Sequence, residues 1–190
     1  MRQLATTFIL ILCFITGIMP VYPAVSGGIS YNIPIEYKNL SEEELSSRAE
    51  TYYAEALNSK KLDDNMSNTL FLYSVLQNMN PKNIEYSIRL GILYDKIKLD
   101  KYAKGNFSRA ININPLAPEP YFYLGEYYYN RQSYRKALKY YLKSYENGFN
   151  TNRELLGRLG DVYKKLGDEQ ASQKYLEPAS AGNSADNPDK

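Results

Sequence analysis

The chain has 190 residues and a formal net charge of +2, with 23 Lys and Arg residues against 21 Asp and Glu residues. This near balance argues against a nucleic-acid-binding face, which needs a concentrated basic surface. The chain has no His, and its single Cys, Cys13, lies in the N-terminal apolar run. His-based catalysis, Cys-His nucleophile pairs and His-ligated metals are therefore excluded. Because the glycine motifs that bind phosphates are also absent, the sequence predicts no enzyme activity, no metal and no cofactor.

The N-terminal residues 1–26 have the pattern of an export signal peptide. An apolar run over Phe8–Ile15 is followed by Ala24 and Ser26, small residues that suit a cleavage site. The alternative is an uncleaved anchor, since the apolar stretch Leu4–Tyr22 is barely long enough to span a membrane. Either interpretation predicts an exported chain that is periplasmic, secreted, or membrane-anchored and facing outward.

Residues 27–40 contain Gly and Pro, and Ile33, Ile35 and Tyr37 alternate with other residues. This pattern predicts an extended segment, which is either a flexible spacer or a strap on the first helix pair.

A first helix is predicted from Ser41 to about Lys60, because Ser41 and Glu44 have the spacing of a capping box. Its apolar side is formed by Leu45, Ala49, Tyr52, Tyr53 and Ala56. A turn is expected over Leu62–Ser67, and a second helix is expected to end at Asn80-Pro81.

Three further helix pairs follow, near 84–96 with 101–113, 118–131 with 133–147, and 153–166 with 168–177. The pair Leu-Gly recurs in each as Leu90-Gly91, Leu124-Gly125 and Leu159-Gly160, at intervals of 34 and 35 residues. A Tyr stands three residues after each Gly, a small residue twelve after, and a large residue sixteen after; the large ones are Phe107, Tyr141 and Leu176. Self-similarity at this period indicates stacked repeats. We expect each Gly to face the small residue of its partner helix, with large side chains filling the surrounding space.

At these residues the chain resembles the tetratricopeptide repeat family. The middle unit supplies the family pattern with Tyr121, Leu124, Gly125, Tyr128, Tyr134, Ala137, Tyr141 and Ser144. Phe149 departs from it, standing where a closing Pro is expected. The resemblance implies an all-α fold over residues 41–179, a right-handed α-solenoid of antiparallel helix pairs with about four repeats, the first degenerate. Residues 180–190 are predicted to be a disordered tail.

In the resembled family, the first helix of each unit lines a concave groove. The positions on that side, called the groove residues below, are Ile88, Arg89, Ile92, Glu119, Phe122, Tyr123, Glu126, Tyr129 and Arg158. An apolar and aromatic centre with charged edges is typical of protein contact surfaces. The alternative is that Phe122, Tyr123 and Tyr129 are packed within the protein.

The sequence therefore predicts a non-enzymatic scaffold or adaptor outside the cytoplasm that binds a segment of a partner protein or peptide in the groove. No nucleic-acid partner is expected, and membrane contact is expected only through an uncleaved N-terminal segment. The alternative function is a structural or assembly component of a cell-envelope complex that acts by self-association. A row of basic residues, Arg135, Lys139 and Lys143, is either a solvated outer face or a contact for an acidic lipid or protein. The partner's identity and the oligomeric state are left open.

Overall fold

The computed structural model describes residues 37, 39–59 and 61–180. These residues form eight α-helices, which are α1 Glu42–Asn58, α2 Asp64–Met79, α3 Ile84–Lys96, α4 Asp100–Ile113, α5 Glu119–Tyr129, α6 Tyr134–Glu146, α7 Arg153–Lys165 and α8 Glu169–Ser180. A 3₁₀ turn, Phe149–Thr151, precedes α7. The predictions for residues 1–26, for almost all of the spacer 27–40 and for the tail beyond Ser180 lie outside the described residues and stay predictions. Within the described part, no helix combines the length and apolarity needed to cross a bilayer.

Consecutive helices pack as four antiparallel pairs, which we call units 1 to 4, and each second helix also packs against the first helix of the next unit. The predicted all-α architecture of stacked helix pairs is confirmed. We call α1, α3, α5 and α7 the A helices, and α2, α4, α6 and α8 the B helices. Successive A helices α3 and α5 also touch, so the A helices line up along one side of the stack.

The start of α1 is as predicted, because Ser41 and Glu44 form the capping box. The Ser41 Oγ accepts a hydrogen bond from the Glu44 N–H at 3.2 Å, and the Glu44 carboxylate accepts one from the Ser41 N–H at 2.8 Å. The predicted turn over Leu62–Ser67 is wrong at its end, since α2 already begins at Asp64. Asp63 caps this helix by accepting a hydrogen bond from the Met66 N–H at 2.9 Å. The residues from Asp64 to Ser67, which were expected in the turn, therefore belong to α2.

The close approach of A and B helices depends on the recurring glycines. A Cβ atom on Gly91 would lie 2.5 Å from the Phe107 ring, and one on Gly125 would lie 2.4 Å from the Tyr141 ring. The expectation that each Gly faces a small residue of its partner helix holds only in part, because the nearest atoms belong to a large side chain and only Gly160 also has its small residue, Ser172, at 3.2 Å. The space opposite the missing Cβ is filled by the large side chain sixteen residues on, which lies directly against the A-helix backbone. The small residues Ala103 and Ala137 are fully buried.

Candidate protein-interaction face

The groove residues lie on three A helices. The members on α3 are Ile88, Arg89 and Ile92, those on α5 are Glu119, Phe122, Tyr123, Glu126 and Tyr129, and α7 carries Arg158. We call the side of the stack formed by the A helices the A-helix face. The structure divides these residues into three groups: buried side chains, side chains engaged between units, and accessible side chains.

Two groove residues are core residues. Ile88 is 2% exposed and Phe122 is 5% exposed. The Phe122 ring lies 6.0 Å from the Tyr141 ring and 6.3 Å from the Phe149 ring, within a cluster that includes Leu155 of the next unit. The assignment of these two residues to an open contact surface is wrong, because both side chains are buried, and that of Phe122 packs against the neighbouring unit. For Phe122, the alternative of packing within the protein is the right one.

Tyr123 is half-buried at the centre of the A-helix face. Its ring stacks on Phe107 with a centroid distance of 6.4 Å and an interplanar angle of 9°. Burial raises the pKa of Tyr123, Arg89 opposes that rise, and three carboxylates add to it, those of Glu85, Glu154 and Glu119. The structure therefore gathers charged side chains from three units around one tyrosine.

The junction between units 1 and 2 is joined by a polar triad of Glu50, Tyr73 and Arg89. The Tyr73 hydroxyl on α2 donates a hydrogen bond to the Glu50 carboxylate on α1. Arg89 on α3 approaches the same carboxylate at 3.4 Å and also pairs with Glu85 at 2.7 Å. Its guanidinium lies 4.3 Å from the centroid of the Tyr53 ring. The groove residue Arg89 therefore contacts unit 1 from unit 2 and helps to hold the two units together.

The junction between units 3 and 4 repeats this arrangement with Glu126, Tyr141 and Arg158. The Tyr141 hydroxyl donates to the Glu126 carboxylate, and Arg158 grips both carboxylate oxygens, with N–O distances of 2.7 and 2.9 Å. Such two-point contacts are the stronger form of Arg–carboxylate pair. Arg158 also lies 5.1 Å from the Tyr129 ring centroid, and the Tyr129 hydroxyl donates to Asp161. Glu126, Tyr129 and Arg158 are therefore engaged between these two units.

The middle junction has an apolar set at the same repeat positions. Ile92 follows Gly91 as Glu126 follows Gly125, and Phe107 takes the place of Tyr141. Tyr123 stands two residues before Gly125, as Arg158 stands two before Gly160. The polar contact of this junction lies instead at Arg131, whose guanidinium is 2.7 Å from Asp95 and 3.7 Å from the Tyr127 ring centroid.

Sequence reasoning named Arg89, Glu126 and Arg158 but missed their partners Glu50 and Tyr73, and missed the pairing itself. The signal was present in the repeat alignment for Glu126, Tyr141 and Arg158, but not for Glu50, because Ala49 does not stand one repeat interval before Gly91. Three positions vary together from junction to junction. They are the residue after the Gly of the A helix, the large residue of the B helix, and the residue two before the Gly of the next unit. They read polar, apolar and polar along the chain. Comparing columns of the repeat for joint changes would have paired Glu126 with Tyr141 and Arg158.

Comparison with solved structures supports this architecture. A crystal structure of MamA has a TM-score of 0.63 and 18% identity, covering 78% of this chain and 82% of that chain. A MamA structure from Desulfovibrio magneticus RS-1 has a TM-score of 0.61 and 16% identity, covering 77% and 78%. BtubC from P. vanneervenii has a TM-score of 0.60 and 16% identity, covering 78% and 66%. The fold is tetratricopeptide-repeat-like.

No protein-family model and no curated protein matches the chain. At such low identities the structural likeness establishes the fold, so function has to be argued from the surface of this chain. Within the described residues, no three His, Cys, Asp or Glu side chains are gathered in a way that would hold a metal ion. A binding function for this chain therefore has to be argued from its accessible side chains and their charges.

The tyrosine hydroxyls at the junction of units 3 and 4 predict a loss of stability at alkaline pH. The hydrogen bond to Asp161, together with burial, raises the pKa of Tyr129 to about 12. Burial and the bond to Glu126 raise the pKa of Tyr141 as well. Because the folded state holds these protons more tightly, their stabilisation is complete below the ordinary tyrosine pKa near 10 and is lost as the pH rises toward the folded value.

We therefore expect the free energy of unfolding, measured by denaturant titration, to fall between about pH 10 and pH 12. The free energy of unfolding of Tyr129→Phe should fall less steeply over this range, since this variant lacks the Tyr129 hydroxyl that ionises. An equal decline in both proteins would contradict the role given to Tyr129.

Proposed function

We propose that this protein is a non-enzymatic scaffold outside the cytoplasm that binds a segment of another protein along its A-helix face, the concave face of a tetratricopeptide-like stack. The observation that carries the proposal is the surrounding of Tyr123. An aromatic ring that is only half-buried lies amid charged side chains from three successive units. A ring with charged neighbours suits an anchor contact within a polar rim.

The charges of this rim favour a basic segment. Glu119 and Glu154 both lie near Tyr123, and neither forms an ion pair with any residue that the structure describes. The nearby cation, Arg89, is already shared between Glu50 and Glu85. A partner segment with Lys or Arg residues on either side of an apolar residue would complement this pattern.

The extracytoplasmic location is part of the proposal and rests on the sequence of residues 1–26. A signal peptide or an outward-facing anchor would both deliver the repeats to the same side of the membrane.

A second candidate is self-association through the end of the stack, as a structural or assembly component. Leu176 occupies the repeat position of Tyr73, Phe107 and Tyr141, which are at most 1% exposed, yet it is 38% exposed. The difference is that no described helix follows α8. A second copy covering this end would bury Leu176, so the candidate is tested by the oligomeric state of Leu176→Ser beside that of the wild type.

Reversing the two free rim charges should abolish binding of a basic segment. We expect peptides selected on the wild-type chain to bind Glu119→Lys/Glu154→Lys with an affinity lower by at least about tenfold, because two attractive contacts become repulsive. The measurement is fluorescence anisotropy with peptides from a displayed random library.

The matched control is Glu43→Lys/Glu169→Lys. These two acids also lie in first turns of helices, so the charge change and the helix-dipole cost are the same, but they lie on α1 and α8 at the ends of the stack. Equal affinity for both variants, or selected peptides without Lys and Arg, would argue against a binding site around Tyr123.

A further inference from the structure

The outward faces of α4 and α6 form a basic surface on the side opposite the proposed binding face. Seven exposed cations lie on these two B helices, which are Lys101, Lys104, Arg109, Arg135, Lys136, Lys139 and Lys143. Their two acidic residues are both engaged, Asp100 with Arg131 at 2.5 Å and Glu146 with Lys143 at 3.3 Å. The basic excess is therefore not neutralised within these helices.

The excess is confined to the middle of the stack. The only charged residue of α2 is Asp64, and α8 carries Lys174 against Glu169 and Glu177. A B helix of this protein thus does not need a basic outer face for solubility. The chain is almost neutral as a whole, so the clustering on α4 and α6 is a local feature.

A cleft of about 620 Å³ lies between these two basic helices, with α5 as its floor. Its apolar lining comes from Ile111 of α4, Leu124 of α5 and Leu142 of α6. Its charged lining is Lys139, Lys143 and Glu146, and because Glu146 pairs with Lys143 at 3.3 Å, Lys139 supplies the unpaired positive charge. Leu124 is buried, and Ile111 and Leu142 are half-buried. The volume falls within the range of cavities that hold small ligands or anchoring side chains.

We propose that this cleft is a second binding site, which takes an acidic peptide segment carrying one large apolar side chain. The apolar side chain would enter the cleft, and the acidic residues on either side of it would lie against the lysines of the cleft. The recessed position of the leucines favours a peptide over a lipid surface, since membrane insertion needs apolar side chains that protrude. The opposite charge preferences of the two sites would let one chain bridge two different segments.

The test uses the full chain and a phage-displayed library of random peptides. Selected peptides should be enriched in Asp and Glu around a large apolar residue, and their affinity should fall as salt is raised. Lys139→Glu/Lys143→Glu should bind them about tenfold more weakly, while the control Lys82→Glu/Lys174→Glu, exposed and outside α4 and α6, should bind them like the wild type. Failure to select such peptides, or equal loss in both variants, would overturn the proposal.

A second pair of variants tests the cleft without changing charge. Asn112 is exposed and lines the cleft, so the indole of Asn112→Trp should fill the cleft and lower the affinity for the selected peptides. The control Asn68→Trp, on the exposed side of α2, should leave that affinity unchanged. Anionic lipid vesicles and single-stranded RNA serve as competitors. If vesicles or RNA bind more tightly than the selected peptides, and the Lys139→Glu/Lys143→Glu variant loses this binding, the peptide proposal is wrong and that competitor is the ligand of the basic surface. Glu119→Lys/Glu154→Lys should keep binding at the cleft, which separates this proposal from the first site.

Discussion

Replacing Gly125 with leucine is expected to lower the free energy of unfolding by about 3 kcal/mol. The Cβ atom alone would lie 2.4 Å from the ring of Tyr141, a side chain that is fully buried and bound to Glu126. The ring cannot swing aside without breaking that hydrogen bond, so α5 and α6 would have to separate. Urea denaturation followed by circular dichroism measures the change.

The control for this prediction is Gly105→Leu. Gly105 is also within a helix, but a Cβ atom there would meet nothing within 4 Å. Glycine is the poorer helix former by about 1 kcal/mol, so this variant should be neutral or stabilised. Similar losses in both variants would mean that the contact between Gly125 and Tyr141 is not what keeps the helices together.

Replacing Arg158 with methionine is expected to destabilise the protein by about 2 kcal/mol. The change removes the cation that neutralises Glu126, a carboxylate whose side chain is 18% exposed, while the methionine keeps most of the apolar stem. Removing one partner of a buried pair typically costs about 3–5 kcal/mol, and the 35% exposure of the Arg158 side chain reduces that figure. Denaturant titration again provides the value.

The middle junction of the same chain supplies the rescue. The triple variant Glu126→Ile, Tyr141→Phe and Arg158→Tyr reproduces the set Ile92, Phe107 and Tyr123 at the junction of units 3 and 4. Because an apolar set of similar size often replaces a buried ion pair without loss, the triple variant should regain stability to within about 1 kcal/mol of the wild type. If it is less stable than Arg158→Met, the two kinds of junction are not equivalent.

Much of the fold could be predicted because it is encoded in features that act locally or recur. Ser41 and Glu44 stand at the spacing of a capping box, and the Leu-Gly pairs return at a fixed interval. Asp63 was missed as a cap because one acidic residue in a polar loop has no distinctive spacing. The contact of Gly125 was assigned to the wrong side chain because the repeat pattern gives positions along two helices and not the angle at which they cross.

The binding face was harder to predict, since helical periodicity separates the sides of a helix only to within about a quarter turn. Phe122 and Tyr123 are adjacent in sequence, and the structure buries the first while leaving the second accessible. The roles of Glu126 and Arg158 depend on a side chain of a third helix, Tyr141. A pattern read one unit at a time cannot detect a contact that always involves two units.

The alternation of polar and apolar junctions restricts how this chain could have grown by internal duplication. A second copy of unit 3 placed after the first would set Tyr123 against Glu126 and Tyr141, leaving the carboxylate without its cation. A second copy of unit 2 would set Arg89 against Ile92 and Phe107, leaving the cation without its carboxylate. Copying units 2 and 3 together would match every junction, because unit 3 would again be followed by an arginine. In the middle of the stack, the smallest block that can be added without repairing a junction is therefore units 2 and 3 together, and the order of these two units is fixed by the chemistry of their junctions.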